Sequence, residues 1–431
     1  MTARLLSILL KRSLKPFVFT GGTRARSFQG IRSFGLYVHM PFCATICPFC
    51  PYFKTLYDPG VVADFKTALI AEITSAARAG ARGATGSSGA GEATENGACP
   101  RVTSVYYGGG TPALFHDHLA ELNAEIRGRF DVRGPFAIEL HPDNVQTGLL
   151  SQLREAGFDM VSIGIQSFHE ECLRTLGRSP VDSAAGIAAA EREGFRVIDV
   201  DLIFGIPGQT VGSLQEDFRI AAESGATQIS TYPFIDFSFT SSGDKPLGAR
   251  QKKQLLAGIL EVCAETGFER TSVWTFARRG TARYSSVTRD SYVGFGPSAA
   301  SLLRSTFSVN VFSVPEYIRC LKNGVQPTAL SVDLTERERS LFWLFWNAYN
   351  LRIDRKAFSV MFGTEVEDSF ALELWLARRA KLLEAAHYGY RLTDSGAYLF
   401  HLLEQSYTNQ YIEKLWRLSL QTPWPDKLVL R

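Results

Sequence analysis

Three cysteines, Cys43, Cys47 and Cys50, fall within eight positions in "HMPFCATICPFCPYFK", while the whole chain has only seven. Thiolates bind soft metals, so this spacing points to metal chemistry. Either C-x3-C or C-x2-C could supply zinc ligands, but a structural zinc site needs a fourth Cys or His. His39 is near but lies in an expected strand, and no second C-x2-C pair follows. Three thiolates on one loop suit instead a 4Fe–4S cluster with one iron left free of protein, able to hold a substrate or cofactor. On spacing alone zinc remains the alternative.

The elements around this loop alternate. An apolar run, "FGLYVHM" (34–40), reads as a buried strand entering the loop, and "VVADFKTALIAEITSAA" follows with helical periodicity. A Gly/Ala/Ser-rich stretch, 78–99, has no periodicity and reads as a flexible surface insertion, with Cys99 a bystander at its edge. Beyond it come strand "VTSVYY", turn "GGGTP", a helix near 117–129, strand "FAIEL", helix "TGLLSQLREAG" and strand "MVSIGIQ". A helix around 182–194, strand "VIDVDLIFG", helix "VGSLQEDFRIAAESG" and strand "QISTYPF" continue the series. Strands separated by such helices predict βαβ units, a parallel sheet, and ligand binding at the carboxyl ends of its strands. After about residue 300 the alternation weakens. "LTERERSLFWLFWNAYNL" opens on a capping box, Thr335-x-x-Glu338. "LLEAAHYGYRLTDSGAYLF" reads helix, turn, short strand, helix, as in a small winged-helix module. Without a basic stripe there, a covering domain for the barrel is expected rather than a DNA-binding one. The expected division is a basic arm (1–33), a barrel (34–300) and a C-terminal covering domain (301–431).

Composition narrows the class. With 45% hydrophobic and 21% charged residues, the chain reads as an ordinary globular protein. A net charge of +3 gives no argument for a nucleic-acid partner, and no apolar run is long enough for a membrane span. Seven cysteines in 431 residues do not form a secreted disulfide framework, so a reducing compartment is expected. Residues 1–33 carry seven Lys/Arg, and the first acidic residue is Asp58. That pattern suits a mitochondrial transit peptide or a basic arm packed on the domain. The arm and a cytoplasmic location are the preferred reading.

With strand and barrel following it, the Cys43-x3-Cys47-x2-Cys50 loop resembles the signature of the radical S-adenosylmethionine (SAM) superfamily. The resemblance implies a partial (β/α)6 barrel in which the methionyl amine and carboxylate chelate the open iron of a 4Fe–4S cluster. "LYVHMPFCATICPFC", "YYGGGTPALF", "IELHPDN", "GFDMVSIGIQSF", "TLGR" and "DVDLIFGIPGQT" are similar in order and spacing to the oxygen-independent coproporphyrinogen III oxidase-like branch. That likeness implies roles by position. Gly108, Gly109, Gly110 and Thr111 would receive the methionyl amine. Glu139 would face the amine or ribose, Gln166 and Asp201 the ribose, and Arg178 the methionyl carboxylate. Tyr37 and Tyr52, flanking the loop, are candidates beside the reaction.

The chain also departs from the branch. Its coproporphyrinogen oxidases carry a fourth cysteine where this chain has Tyr52. Its haem chaperones carry a His-Asn motif that is missing from "ARYSSVTRDSYVGFGPSAAS", where only Tyr284 or Tyr292 could offer an axial ligand. What remains resembles the branch's radical methylases and cyclopropanases, which implies two SAM molecules and carbon–carbon bond formation at an sp2 carbon; a haem-binding chaperone and a coproporphyrinogen oxidase-type enzyme are the alternative readings. The substrate would be small, flat and unsaturated, and flavodoxin or ferredoxin would supply the electron. Tyr232, Phe234, Trp274 and Phe276 would stack on the substrate or fill the barrel core.

Overall fold

The computed structural model describes residues 17–22, 26–84, 100–282 and 290–430. Its centre is six parallel strands: β1 (Ser33–Met40), β2 (Arg101–Gly109), β3 (Phe136–Leu140), β4 (Met160–Gln166), β5 (Val197–Phe204) and β6 (Gln228–Pro233). They lie side by side in chain order. Most of their residues are buried on both faces, which requires a covering layer outside and side-chain packing inside. The cover is α1 (Pro59–Ala84), α2 (His116–Arg129), α3 (Thr147–Glu155), α4 (Ser183–Arg192), α5 (Val211–Glu223) and α6 (Ala249–Thr266). Sequence-local signals start several of these. Asp182 caps α4, and Thr210 with Ser213 forms a reciprocal box at α5.

The sheet does not close on itself. Beyond β6 it continues into antiparallel strands Phe268–Arg270 and Thr275–Arg278. Beyond β1 it adds β7 (Tyr292–Phe295), β8 (Ala300–Leu303), β9 (Thr306–Asn310) and β10 (Thr328–Asp333). Phe17–Gly21 then pairs with β10, and Lys427–Leu430 pairs with Phe17–Gly21. The result is a partial (β/α)6 barrel with an extended wing of sheet. Residue 300 is the first residue of β8, inside this continuous sheet.

Two local expectations differ from the structure. The insertion was expected from residue 78, but α1 runs on to Ala84, because an Ala/Arg-rich stretch is a good helix former once a helix is under way. Residues 85–99, with Cys99, lie outside the described residues. "LLEAA" reads as helix from composition, yet Leu383–Ala386 is a strand. It is too short for a helix between Lys381, at φ +57°, and Gly389, at φ +141°, and it pairs in a hairpin instead.

After α7 (Val314–Lys322) the chain builds a small module. Its elements are α8 (Glu336–Tyr349), β11 (Arg352–Asp354), α9 (Arg355–Phe362), α10 (Val366–Arg379), β12 (Leu383–Ala386), β13 (Gly389–Leu392) and α11 (Asp394–Gln421). Its sheet order, β11–β13–β12, is winged-helix-like, and Trp343, Phe358 and Phe370 form its core. The expected box between Thr335 and Glu338 starts α8. No described helix is long and apolar enough to cross a membrane.

A buried carboxylate joins the barrel to the extra strands. Glu72 on α1 is fully buried and meets Arg26 Nη2 at 2.5 Å. It also accepts from Gly296 N–H (2.9 Å), Asn310 Nδ2 (2.9 Å) and the Tyr317 hydroxyl (2.7 Å). Removing one member of a buried pair strands the other charge. Arg26→Ala is therefore expected to cost about 3–5 kcal/mol, read as a lower urea midpoint with an unchanged slope. Arg26→Lys should recover part of it.

Candidate active site

The cysteine loop hangs from the carboxyl end of β1. Its base is closed by a short parallel pairing of Phe42–Cys43 with Thr55–Leu56, and Tyr57 N–H donates to Cys43 O at 2.9 Å. Within the loop, Lys54 Nζ donates to Cys50 O (2.7 Å) and Tyr52 O (3.2 Å). All three thiols are free and only partly covered. Burial pushes the Cys43 thiol up to about 11, although the Thr111 hydroxyl bonded to it works the other way, and burial raises Cys50 as well. Thiols in this setting ionise readily only when a cation takes the proton's place.

The "GGGT" turn after β2 is fastened to that loop through its backbone. Gly110 N–H donates to Met40 O and Thr111 N–H to Phe42 O, each at 2.7 Å. Gly109 sits at φ +110°, and a Cβ there would lie 2.5 Å from the His39 ring. At Gly110 a Cβ would meet Phe42 O at 2.5 Å. Only glycine permits this approach. A third contact comes from "TLGR": Gly177, at φ +66°, packs against Pro48 of the cysteine loop.

His39 is buried beneath the turn. Its Nε2 lies 2.9 Å from Phe53 O, an acceptor only, so Nε2 carries the hydrogen and Nδ1 accepts from the Tyr37 hydroxyl at 2.9 Å. Burial holds its pKa down to about 4, so the ring is neutral at ordinary pH. Tyr37 therefore stands behind His39, off the cavity wall.

Cysteines, turn and strand ends surround one cavity of about 750 Å³, in the size range of small-molecule sites. Glu139 faces it from β3, accepting from the Tyr106 hydroxyl (2.5 Å) and from Gly109 N–H (3.0 Å). Burial raises its carboxyl to about 7, and the Gly109 N–H offsets part of that shift. Asp201 accepts from Ser162 Oγ at 2.8 Å, and burial with neighbouring Asp199 raises it well above the usual carboxylate range. Gln166 reaches the wall from a bulge at the end of β4, at φ +74°. A non-glycine residue in that region is strained and is held by its surroundings. Arg178 donates from Nε to Cys47 Sγ at 3.0 Å and from Nη1 to Gly164 O at 3.1 Å. Tyr52 lines the cavity with 54% of its surface exposed.

Thus Cys43, Cys47, Cys50, Tyr52, Gly109, Gly110, Thr111, Glu139, Gln166, Arg178 and Asp201 share one cavity. Gly108 lies just behind, where a Cβ would meet Glu139 Oε1 at 2.8 Å. Tyr232, Phe234 and Trp274 line the wall, while Phe276 is core. Tyr292 is on the wall, and Tyr284 lies outside the described residues. Three groups went unmarked in the sequence. Asp199 follows from the period-two pattern "DVD", which points it inward beside Asp201. His141 lies inside the quoted "IELHPDN" but was given no role there, and Glu404 had no local signal. Glu404 reaches the cavity from α11, more than 200 positions away from Asp201.

The residues present suit an open-site cluster. Three thiols from one loop face shared space, and Gly109 and Gly110 leave backbone exposed beside them. Among the described residues, no three His, Cys, Asp or Glu side chains converge on a single metal ion. Thiols bound to separate irons of a cubane need not converge in that way, whereas zinc ligands must.

Comparison with known proteins agrees. The sequence model of the Radical SAM superfamily matches residues 37–221. The chain is 25% identical over 382 residues to the heme chaperone HemW of Bacillus subtilis, covering 84% of this chain and 96% of that one. It is 28% identical over 319 residues to an oxygen-independent coproporphyrinogen III oxidase of Pseudomonas aeruginosa, covering 67% of this chain and 66% of that one. In fold it is similar to the solved coproporphyrinogen III oxidase (HemN) from Escherichia coli, with a TM-score of 0.74 at 21% identity, over 93% of this chain and 98% of that one. These relatives support a radical SAM enzyme and lend no support to the expected methylase or cyclopropanase type. Residues 37–221 match the radical SAM superfamily, and in sequence and fold the chain is similar to proteins of its coproporphyrinogen oxidase-like branch.

Proposed function

We propose that this protein cleaves SAM reductively to act on a flat, unsaturated ring ligand of the tetrapyrrole class. One observation carries the reading: the cavity that holds the cysteines and the glycine turn continues into a chamber walled by aromatic side chains, Tyr232, Trp274, Phe342, Trp346 and Tyr349 among them. The relatives named for haem and coproporphyrinogen support the ligand class. A bound cluster would supply the electron for reductive cleavage of the sulfonium's carbon–sulfur bond.

The chain's own residues bind and orient the reactants. Cys43, Cys47 and Cys50 would hold the cluster. Backbone carbonyls of the Gly109–Gly110 turn take the methionyl amine, with the Glu139 carboxyl beside them. Arg178, now on the Cys47 sulfur, offers its planar fork to the methionyl carboxylate. Gln166 and Asp201 take the ribose, and the aromatic wall excludes water from the radical's path. Tyr52 lines the cavity beside the cysteine loop. The electron donor is a small redox protein such as flavodoxin or ferredoxin, and the cytoplasm is the site of action.

A second reading, methyl or methylene transfer from a second SAM to an sp2 carbon, is favoured by the charge of the cavity. Glu139, Asp143, Asp199, Asp201 and Glu404 put five carboxyls on one cavity, more than one cationic cofactor needs, while Lys54 and Arg178 are its only lysine and arginine among the described residues. A substrate with several carboxylates, such as a decarboxylation requires, would find little to pair with.

Anaerobic reconstitution with iron and sulfide, then reduction with SAM, is expected to yield 5′-deoxyadenosine, and Cys43→Ala, Cys47→Ala or Cys50→Ala to abolish it. S-adenosylhomocysteine beside it would establish the second reading, and its absence would exclude that reading. A stoichiometric Soret band on haem titration, with no SAM cleavage, would instead make the protein a haem carrier.

The Glu139 carboxyl keeps its proton up to about pH 7 in the unliganded protein. A cation bound against it favours the ionised form. SAM binding at pH 6 is therefore expected to release about one proton, seen as calorimetric heats that vary with buffer. Glu139→Gln should remove that variation, and equal heats in the wild type would refute the assignment. Gly109→Ala, whose Cβ would drive into the His39 ring, should lower both iron content and SAM affinity.

A further inference from the structure

The covering helix α5 buries Leu214, Asp217, Phe218 and Ala221 at the spacing of one helical face. Three of these are apolar, as packing against a sheet requires. Asp217 is a carboxyl with 0% exposure, which is costly unless its oxygens find donors. One loop supplies them. The Ser167 hydroxyl donates to Asp217 at 2.8 Å and the Phe168 N–H at 2.6 Å. Ser167 Oγ in turn accepts from His169 N–H at 3.1 Å, and His169 Nε2 donates to Ser213 O, also on α5, at 3.0 Å. Burial raises the Asp217 carboxyl to about 6, and the two donors oppose that shift.

The loop starts directly after Gln166. There β4 leaves its regular pairing: Ile163 faces Val200, yet Gln166 faces Leu202, one position out of step, at φ +74°. A glutamine in that conformation is strained and persists only where its surroundings over-determine it. The two residues that follow it are the ones tied to Asp217. The same bend puts Gln166 on the cavity wall. Its amide folds over Gly164, where a Cβ would lie 2.9 Å from Gln166 Nε2, and the Gly164 carbonyl accepts from Arg178. Asp217 itself is not on that wall.

We infer that Asp217 is a positioning residue for SAM: it clamps Ser167 and Phe168 to α5 and so holds Gln166 in the bend that presents its amide to the ribose. This rests on the ribose role proposed for Gln166 above. Because Asp217 acts through Gln166, its effect on binding is bounded by that of Gln166. Removing Asp217 can lose at most what removing the Gln166 amide loses, and nothing further once that amide is gone.

Calorimetric titration of SAM into the reconstituted, unreduced protein tests this as a double-mutant cycle. Gln166→Ala is expected to weaken binding about tenfold, the worth of one hydrogen bond. Asp217→Leu, of similar size but without acceptors, should approach that loss. Asp217→Asn, whose amide oxygen still takes the Phe168 N–H, should recover most of it. In the Gln166→Ala protein, Asp217→Leu should weaken binding no further. Where Asp217→Leu does not fold, Ser167→Ala takes its place, with about a threefold loss that also vanishes beside Gln166→Ala. Losses that add in the double variant, or full affinity in the folded single variant, would overturn the inference. Unchanged affinity in Gln166→Ala would overturn it together with the ribose assignment. Formation of 5′-deoxyadenosine by the reduced wild type reports separately on the radical chemistry, so the failures are distinguishable.

Discussion

The mouth of the barrel depends on how closely two turns approach His39. Gly109 leaves no room for a side chain on one side of the imidazole, and Gly296, at φ +95°, leaves none against the His39 carbonyl, where a Cβ would lie at 2.3 Å. Burial keeps the ring uncharged, and its two nitrogens are committed to Tyr37 and to the Phe53 carbonyl. A protonated ring would have to donate from both nitrogens and would lose the Tyr37 hydroxyl as its donor. One residue thereby ties together the start of the cysteine loop, its end at Phe53 and the β2 turn through its ring, and the β7 turn through its backbone carbonyl.

From that fixed point the charges of the cavity divide by depth. Arg178 and Lys54 sit with the cysteines, where thiolates and a carboxylate would need them. Glu139, Asp199 and Asp201 lie along the strand ends, with burial raising each carboxyl. A cation beside such groups favours their ionised form, and held neutral they do not repel one another. The wall contributed by α11 is aromatic, with a single carboxyl at its centre, and burial raises Glu404 to about 7. The cavity thus runs from a thiol end to an aromatic end within one space.

Much of this was legible in order along the chain, because the signals are local. A strand followed by three spaced cysteines, a glycine turn and alternating β and α periodicity are each read within a few residues, and the parallel strand order followed. The capping box at Thr335 was equally local. Readings that depended on competition between distant segments were less secure. "LLEAA" has helical composition but pairs as a strand, and the Ala/Arg-rich stretch after residue 77 extends α1 instead of beginning a loop. Tyr37 read as a neighbour of the reaction, yet the fold turns it toward His39, behind the wall.

The sequence by itself determined the barrel, the cysteine loop and the radical SAM class, since residue type, spacing and periodicity are properties of short stretches. Only the tertiary structure decided which groups share the cavity with them. Glu404, Tyr411 and Trp416 reach it because α11 folds back against the barrel, and Glu72 joins Arg26, Asn310 and Tyr317 because elements far apart in sequence enclose it. Burial, and with it the protonation of each carboxyl and imidazole, is set by what packs around a residue and has no counterpart in its immediate neighbours.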